Sequence, residues 1–398
     1  SRLVERKLRC RGSIGRVTAA TTTLDDALAP TIDDAPSSPS TSRRSRKRAL
    51  VEFLVTGGGT LVLFPLAILA RRLFGIDDAE LAAGFLTFYA AYVINDPHFA
   101  VTYLLFYRNA KSRWRSARWI GSGIVVPVVL TLWAAVAIEM HSAAILGGMV
   151  QLMYLLVGWH YVKQGFGVLT VLSARRKVRL SARERFAFLF HCYAGWAYAW
   201  ASPAIASGEF EEKGVVYTAL AHPRWLELAT GGVFALSTIV LLVAVLVERR
   251  RLGRFVPFAP AAGLLVTVWL WTIYSSIDPV MRYLIPALHS VQYFYFVFLL
   301  RRNEARAFEG PPSFGKPAAV RVGFLLVTAL LLGWLLFRGM PTFLDDTFIP
   351  KPRRGAFPDD LGITPFFALF FVSVSIHHYF MDSVIWRRDN PDTRWLTA

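Results

Sequence analysis
Long apolar segments separated by short, positively charged ones dominate the chain beyond Arg48, and that alternation limits what it can fold into. A run of about 20 apolar residues is what a helix needs to cross roughly 30 Å of hydrocarbon. The segments 49–70, 80–106, 119–139, 142–172, 184–203, 224–247, 257–276, 280–300, 319–338 and 361–386 each meet or approach that length. Every second connection is basic. Arg108, Lys111, Arg113, Arg115 and Arg118 fill one. Arg175, Arg176, Lys177, Arg179, Arg183 and Arg185 fill the next, then Arg249, Arg250, Arg251 and Arg254, then Arg301, Arg302, Arg306 and Lys316. The intervening connections are mixed or acidic, as in Glu209 to Lys213 and Asp345 to Asp360. Basic loops stay on the cytoplasmic side. The expected fold is therefore all-α, a polytopic integral membrane bundle of about ten transmembrane helices, N-in and C-in, of the kind found in a bacterial-type plasma (inner) membrane.

Composition agrees with that reading. Of 398 residues 55% are hydrophobic, and the mean hydropathy is +0.42, too apolar for a soluble core to hide. The net charge of +17 has a topological origin, so it does not point to nucleic acid. Cys10 and Cys192 are far apart and suggest neither a disulfide framework nor a thiolate metal site. Residues 1–48 lack an apolar stretch followed by a small-residue cleavage site and read as a disordered basic cytoplasmic tail. Residues 49–386 form the transmembrane domain, and 387–398 a cytoplasmic C-terminal tail. The stretch 340–360, with Pro341, Pro350, Pro352 and Pro358, is the largest candidate for ordered structure outside the bilayer. Gly57-Gly58-Gly59 reads as a close helix contact, because no Lys-Ser/Thr follows to make a phosphate loop.

Ionisable groups within spans are expensive and need a partner or a task. Four spans carry them. The second has Asp96-Pro97-His98, the fourth His160-Tyr161-Val162-Lys163-Gln164, the eighth His289-Ser290-Val291-Gln292-Tyr293, and the last His377-His378-Tyr379 with Asp382. His160 and Gln164, and His378 and Asp382, share helix faces at a spacing of four; His289 and Gln292 do so at three. Asp96 and His98 diverge on a regular helix, and a kink at Pro97 would be needed to turn both inward. Counted to the first cytoplasmic cation, His98, His160, His289 and His378 lie roughly 13–22 Å deep, a band of about 9 Å at 1.5 Å per residue. All four spans run the same way, so these histidines are expected to meet in one site. Lys163 either snorkels to the surface or offsets Asp96 or Asp382, and His191 reads as a packing or interfacial residue.

Neutral imidazole is the commonest metal ligand, and a carboxylate adds charge for a divalent ion. The expected ligands are His98, His160, His289 and His378, with His377 as a fifth candidate. Asp96, Asp382 and Tyr379 are candidate catalytic groups, and Gln164, Gln292, Tyr161 and Tyr293 are candidates to orient the histidines. Iron is the leading metal; zinc, manganese and copper suit the same donors. The corresponding function is a non-haem oxygenase, hydroxylase or desaturase acting on a lipid-soluble substrate. A proton- or ion-coupled transporter and a haem protein are the alternatives. Oligomeric state is left open.

Asp96-Pro97-His98-Phe99, His160 with Gly165 nearby, and Leu288-His289-Ser290 resemble elements of the Brp/Blh-type carotenoid-cleaving membrane oxygenases. The likeness covers about a tenth of the chain, and it implies intramembrane histidine-held iron. The segment from His377 to Asp382 and the larger helix number depart from that family's pattern, which leaves the substrate and ligand set open.

Overall fold
The computed structural model describes residues 39–108, 113–349 and 361–397. Apart from one hairpin it is helical. Helix α1 (Pro39–Phe53) widens into a π-turn at Leu54–Gly58 and is followed by α2 (Thr60–Phe74). Helix α3 (Ile76–Ala90) passes through a π-turn, Ala91–Asn95, into α4 (Asp96–Tyr107). Then come α5 (Ala117–Glu139), α6 (Ala143–Arg175) and α7 (Ala182–Ala201). A hairpin of β1 (Gly208–Glu212) and β2 (Val215–Ala219) pairs Gly208 with Ala219 through Glu212 with Val215. Helices α8 (Arg224–Leu252), α9 (Phe258–Ser276), α10 (Pro279–Ala307), α11 (Ala318–Phe348) and α12 (Pro365–Ile385) complete the bundle.

Seven of these helices, α5, α6 and α8 to α12, are long and apolar enough to cross a membrane, and the α1–α2 pair, bent by 58°, makes an eighth if it is one span. The chain is thus a multi-pass helical protein. The second and fifth expected spans are helices too, but they are not among the seven. Glu80 and the polar run Asn95-Asp96-Pro97-His98 lower the apolarity of the second, and Glu184 and Arg185 that of the fifth.

Local chemistry explains the helix starts. Ser142 accepts the Ile145 N–H before α6, and Ser181 and Glu184 form a reciprocal capping box on α7. Asp278 caps α10 through Met281 N at 3.2 Å, with Pro279 in the first turn, where its missing N–H does no harm. The start of α12 is capped from outside: Asp345 on α11 accepts the N–H groups of Phe366 and Phe367 at 2.9 and 3.0 Å. The positive dipole end of the helix favours that carboxylate.

Helix α12 lies at the centre, with 72% of its most apolar stretch buried, whereas α8 is peripheral at 17%. Phe99, Met149, Met153, Leu369, Val372 and Ile376 pack α4, α6 and α12 together. Val101, Tyr293, Val297, Ala329 and Met381 join α4 and α12 to α10 and α11. Gly57 sits at φ +132°, and a Cβ there would meet the Gly263 Cα of α9 at 3.1 Å, so the glycine run is the close helix contact expected of it. Gly333 lets α11 reach the α4 backbone, since a Cβ there would lie 2.7 Å from the Asp96 carbonyl.

Several expectations need correction. Of the stretch 340–360, expected as ordered structure outside the bilayer, Met340–Phe348 instead continues the apolar helix α11, and 350–360 fall outside the described residues. Part of the expected tail, from Pro39 on, is helical, while residues 1–38 are outside the described residues. The C-terminal segment is docked. Pro391–Leu396 forms a 3-10 turn, Leu396 is buried, and Arg175 and Asn303 hold the Leu396 and Trp395 carbonyls at 3.0 and 2.8 Å.

Candidate metal centre
His98 of α4, His160 of α6, His289 of α10 and His378 of α12 meet in the interior. One ring nitrogen from each lies within 4.8 Å of the other three. None is more than 4% exposed. The rings close a four-membered circuit: His98–His289, His289–His160, His160–His378 and His378–His98 have centroids 5.0, 4.8, 4.9 and 4.5 Å apart, all edge to face. His160 Nε2 and His289 Nε2 approach to 3.0 Å.

Both nitrogens of His98, both of His378 and Nδ1 of His289 have no hydrogen-bond partner among the described residues. A buried polar group without a partner costs about 1–3 kcal/mol, and five such atoms in one cluster exceed what packing histidines would leave. His191 is the contrast: Ser237 lies 3.1 Å from its Nδ1, and Trp269 donates to its Nε2 at 3.2 Å, so its ring is fully satisfied. A neutral imidazole has one nitrogen lone pair, so each ring can offer one donor to a shared cation. Metal–nitrogen bonds of about 2.1 Å put opposed donors about 4.2 Å apart, close to the 4.8 Å envelope found here. The residues fit a single metal ion.

Asp382 follows His378 by one turn. Its Oδ2 lies 3.5 Å from His378 Nε2 and 3.9 Å from His160 Nε2. Its Oδ1 accepts the Tyr293 hydroxyl at 3.0 Å. The Tyr293 ring also packs 4.5 Å from His98. Tyr161 stands 4.7 Å from His289 and Tyr379 4.7 Å from His160, and Phe99 is 4.7 Å from His378, so aromatic rings wall the cluster.

Other expected site residues lie elsewhere. His377 is not in the cluster: its Nδ1 is 3.0 Å from the Tyr103 hydroxyl, and its Nε2 donates to the Ser122 carbonyl at 2.9 Å. Adjacent helical residues point about 100° apart, so only one of the pair can face the centre. Asp96 is also absent from it, and its carboxylate is 3.6 Å from Arg338 Nε. The π-turn lies before Asp96, so Asp96 to His98 is regular helix and the two side chains diverge. Gln164 and Gln292 do not orient imidazoles. Gln164 donates to Gln292 Oε1 at 2.8 Å and to the His289 carbonyl at 3.4 Å, and Gln292 donates to the Thr56 carbonyl at 2.8 Å. They tie α6, α10 and the first bend together. Lys163 is exposed and offsets neither carboxylate.

Two residues escaped the sequence reading. Thr102 lies 2.6 Å from the Tyr293 hydroxyl; its place four after His98, on the same helix face, was the available signal. Arg338 ends an apolar run, where it resembles a flanking cation until its place beside Asp96 is known.

Comparison with protein-family models, curated proteins and solved structures finds no match for the chain.

Proposed function
We propose that the chain is an intramembrane oxidoreductase whose His98, His160, His289 and His378 hold one metal ion, iron foremost, and that it acts on a lipid-soluble substrate. The observation that carries this reading is the meeting of four buried imidazoles, with both nitrogens of His98 and His378 and Nδ1 of His289 left without partners among the described residues. A lone intramembrane histidine is ordinary interhelical glue; four from four helices are a donor set. Iron bound there would supply one-electron chemistry and activation of dioxygen. The protein's own part is to bind and to shield. The four histidines arrive on four helices, so bundle packing fixes their positions, and Phe99, Tyr161 and Tyr379 keep water from the cluster. With ten spans and cytoplasmic termini, the topology the basic loops favour, the cluster lies at bilayer depth, where an apolar substrate can reach it laterally. Haem fits less well, because a macrocycle between two of the imidazoles would have to occupy the space the other two fill within 4.8 Å.

Elemental analysis and an absorption spectrum of the detergent-purified protein test the reading. About one iron per chain, lost in His160→Ala and His378→Ala, is the expected result. A folded protein that takes up no metal after incubation with Fe(II), Mn(II), Zn(II) or Cu(I) would overturn it, and ion flux in proteoliposomes without bound metal would favour a transporter.

A further inference from the structure
Asp382 turns one oxygen toward the cluster, and the other accepts the Tyr293 hydroxyl, against which Thr102 packs. The Tyr293 hydroxyl donates to Asp382 Oδ1 at 3.0 Å, and its oxygen lies 2.6 Å from the Thr102 hydroxyl. Thr102 Oγ1 is also 3.4 Å from Oδ1. All three residues are buried, on three different helices, α4, α10 and α12. The pinned carboxylate directs Oδ2 between His378 Nε2 and His160 Nε2, at 3.5 and 3.9 Å.

We propose that Asp382 is the fifth, anionic donor of the metal centre, and that Tyr293 and Thr102 are positioning residues that reserve Oδ2 for the ion. The proposal rests on the four-histidine metal reading above. Its chemical reason is charge: four neutral imidazoles leave a divalent ion uncompensated in an apolar interior, and Asp382 is the carboxylate placed to neutralise it. A carboxylate donor also shifts the site's preference toward harder ions. Imidazole alone serves zinc and copper well, whereas an added carboxylate suits iron(II) and manganese(II). The hydroxyl pair supports Asp382 as outer groups support ligands in other metal sites, where their loss lowers metal affinity about 10–100-fold.

Cobalt(II) added to full-length protein in detergent is the probe, with chelator competition giving affinity and the visible ligand-field bands reporting the donor set. Asp382→Asn is expected to weaken cobalt(II) binding by about 10-fold or more, to change the bands, and to weaken manganese(II) more than zinc(II). Thr102→Val and Tyr293→Phe are expected to shift both readouts in the same direction, and Thr102→Ser to restore them. Cobalt(II) bound to Asp382→Asn with the wild-type spectrum and affinity would overturn the proposal while leaving the histidine centre standing. If wild-type protein binds no cobalt(II), the metal reading fails and this proposal with it. Should Asp382→Asn not fold, the Thr102→Val and Thr102→Ser pair decides: equal spectra and affinities in both would overturn the positioning role.

Discussion

His160 Nε2 and His289 Nε2 face each other across 3.0 Å, from helices whose sequence positions differ by 129 residues. Two ring nitrogens that close must share a proton or a cation. If they share a cation, binding is coupled to folding, because the unfolded chain has no such site. At a free metal concentration about 1,000 times Kd the ion would add about 4 kcal/mol of stability. Thermal unfolding in detergent should therefore move to lower temperature when a chelator strips the metal. His289→Ala should abolish that chelator effect. An unfolding curve of the wild type that ignores chelator and added iron alike would count against a bound ion.

His377→Ala should behave differently from His378→Ala. The His377 ring binds the Tyr103 hydroxyl and the Ser122 carbonyl, both away from the cluster. Its removal leaves those groups unpaired, for a loss of about 1–3 kcal/mol. Metal content should stay at the wild-type value, while His378→Ala should be metal-free. Equal metal loss in the two variants, measured by elemental analysis, would contradict the separation of roles.

The half-buried Arg338 and the buried Asp96 form a second polar pair. The guanidinium carbon lies 4.5 Å from the Tyr92 ring, 5.0 Å from Phe88 and 5.6 Å from Phe367, with Asp96 at 3.6 Å. Arg338→Met should cost about 3–5 kcal/mol, because it strands the carboxylate. Asp96→Leu combined with Arg338→Met should recover most of that loss, since the uncompensated charge is gone. Additive losses in a double-mutant cycle, followed by denaturation in mixed micelles, would show that the two do not interact.

Asp278, in the connection between α9 and α10, supplies a pH dependence. Burial alone would raise its pKa, but the paired hydrogen bonds from Arg71 at 2.8 Å, the Met281 N–H and Tyr274 together hold it below the ordinary carboxylate value. A carboxyl depressed in the folded state stabilises at pH above its unfolded value and loses that contribution as acid carries the pH down through the folded value. Stability should thus gain nothing from this pair by raising the pH above about 5, and should fall below about pH 4. Arg71→Met should flatten that acid limb; an unchanged limb would assign it to other carboxylates.

Much of the site was legible because the bilayer makes polar residues conspicuous. His98, His160, His289 and His378 interrupt apolar runs at similar counted depth, and their meeting follows from parallel helices. Side-chain direction was harder. His377 and His378 are indistinguishable by depth, and only the rotation of α12 against α6 selects between them. Asp96 was misplaced because Pro97 drew attention to itself, while the widened turn lies one step earlier, at Ala91–Asn95. Arg338 pairs with Asp96 through a contact between distant segments that no local spacing announces. The hairpin at Gly208–Ala219 went unanticipated, since Glu209 to Lys213 carries the charge of a loop and its pairing partner lies across a turn at Lys213 and Gly214.

The break at Gly57 has a consequence for the order of assembly. Thr56 there offers its carbonyl to Gln292, 236 residues downstream, on the helix that carries His289. During synthesis the first bent segment emerges long before its partner exists. Until α10 is present, the Thr56 carbonyl lacks the Gln292 donor that it has in the folded chain. Completion of this bend is therefore tied to the helix that carries His289, through the Gln292 amide that holds the Thr56 carbonyl.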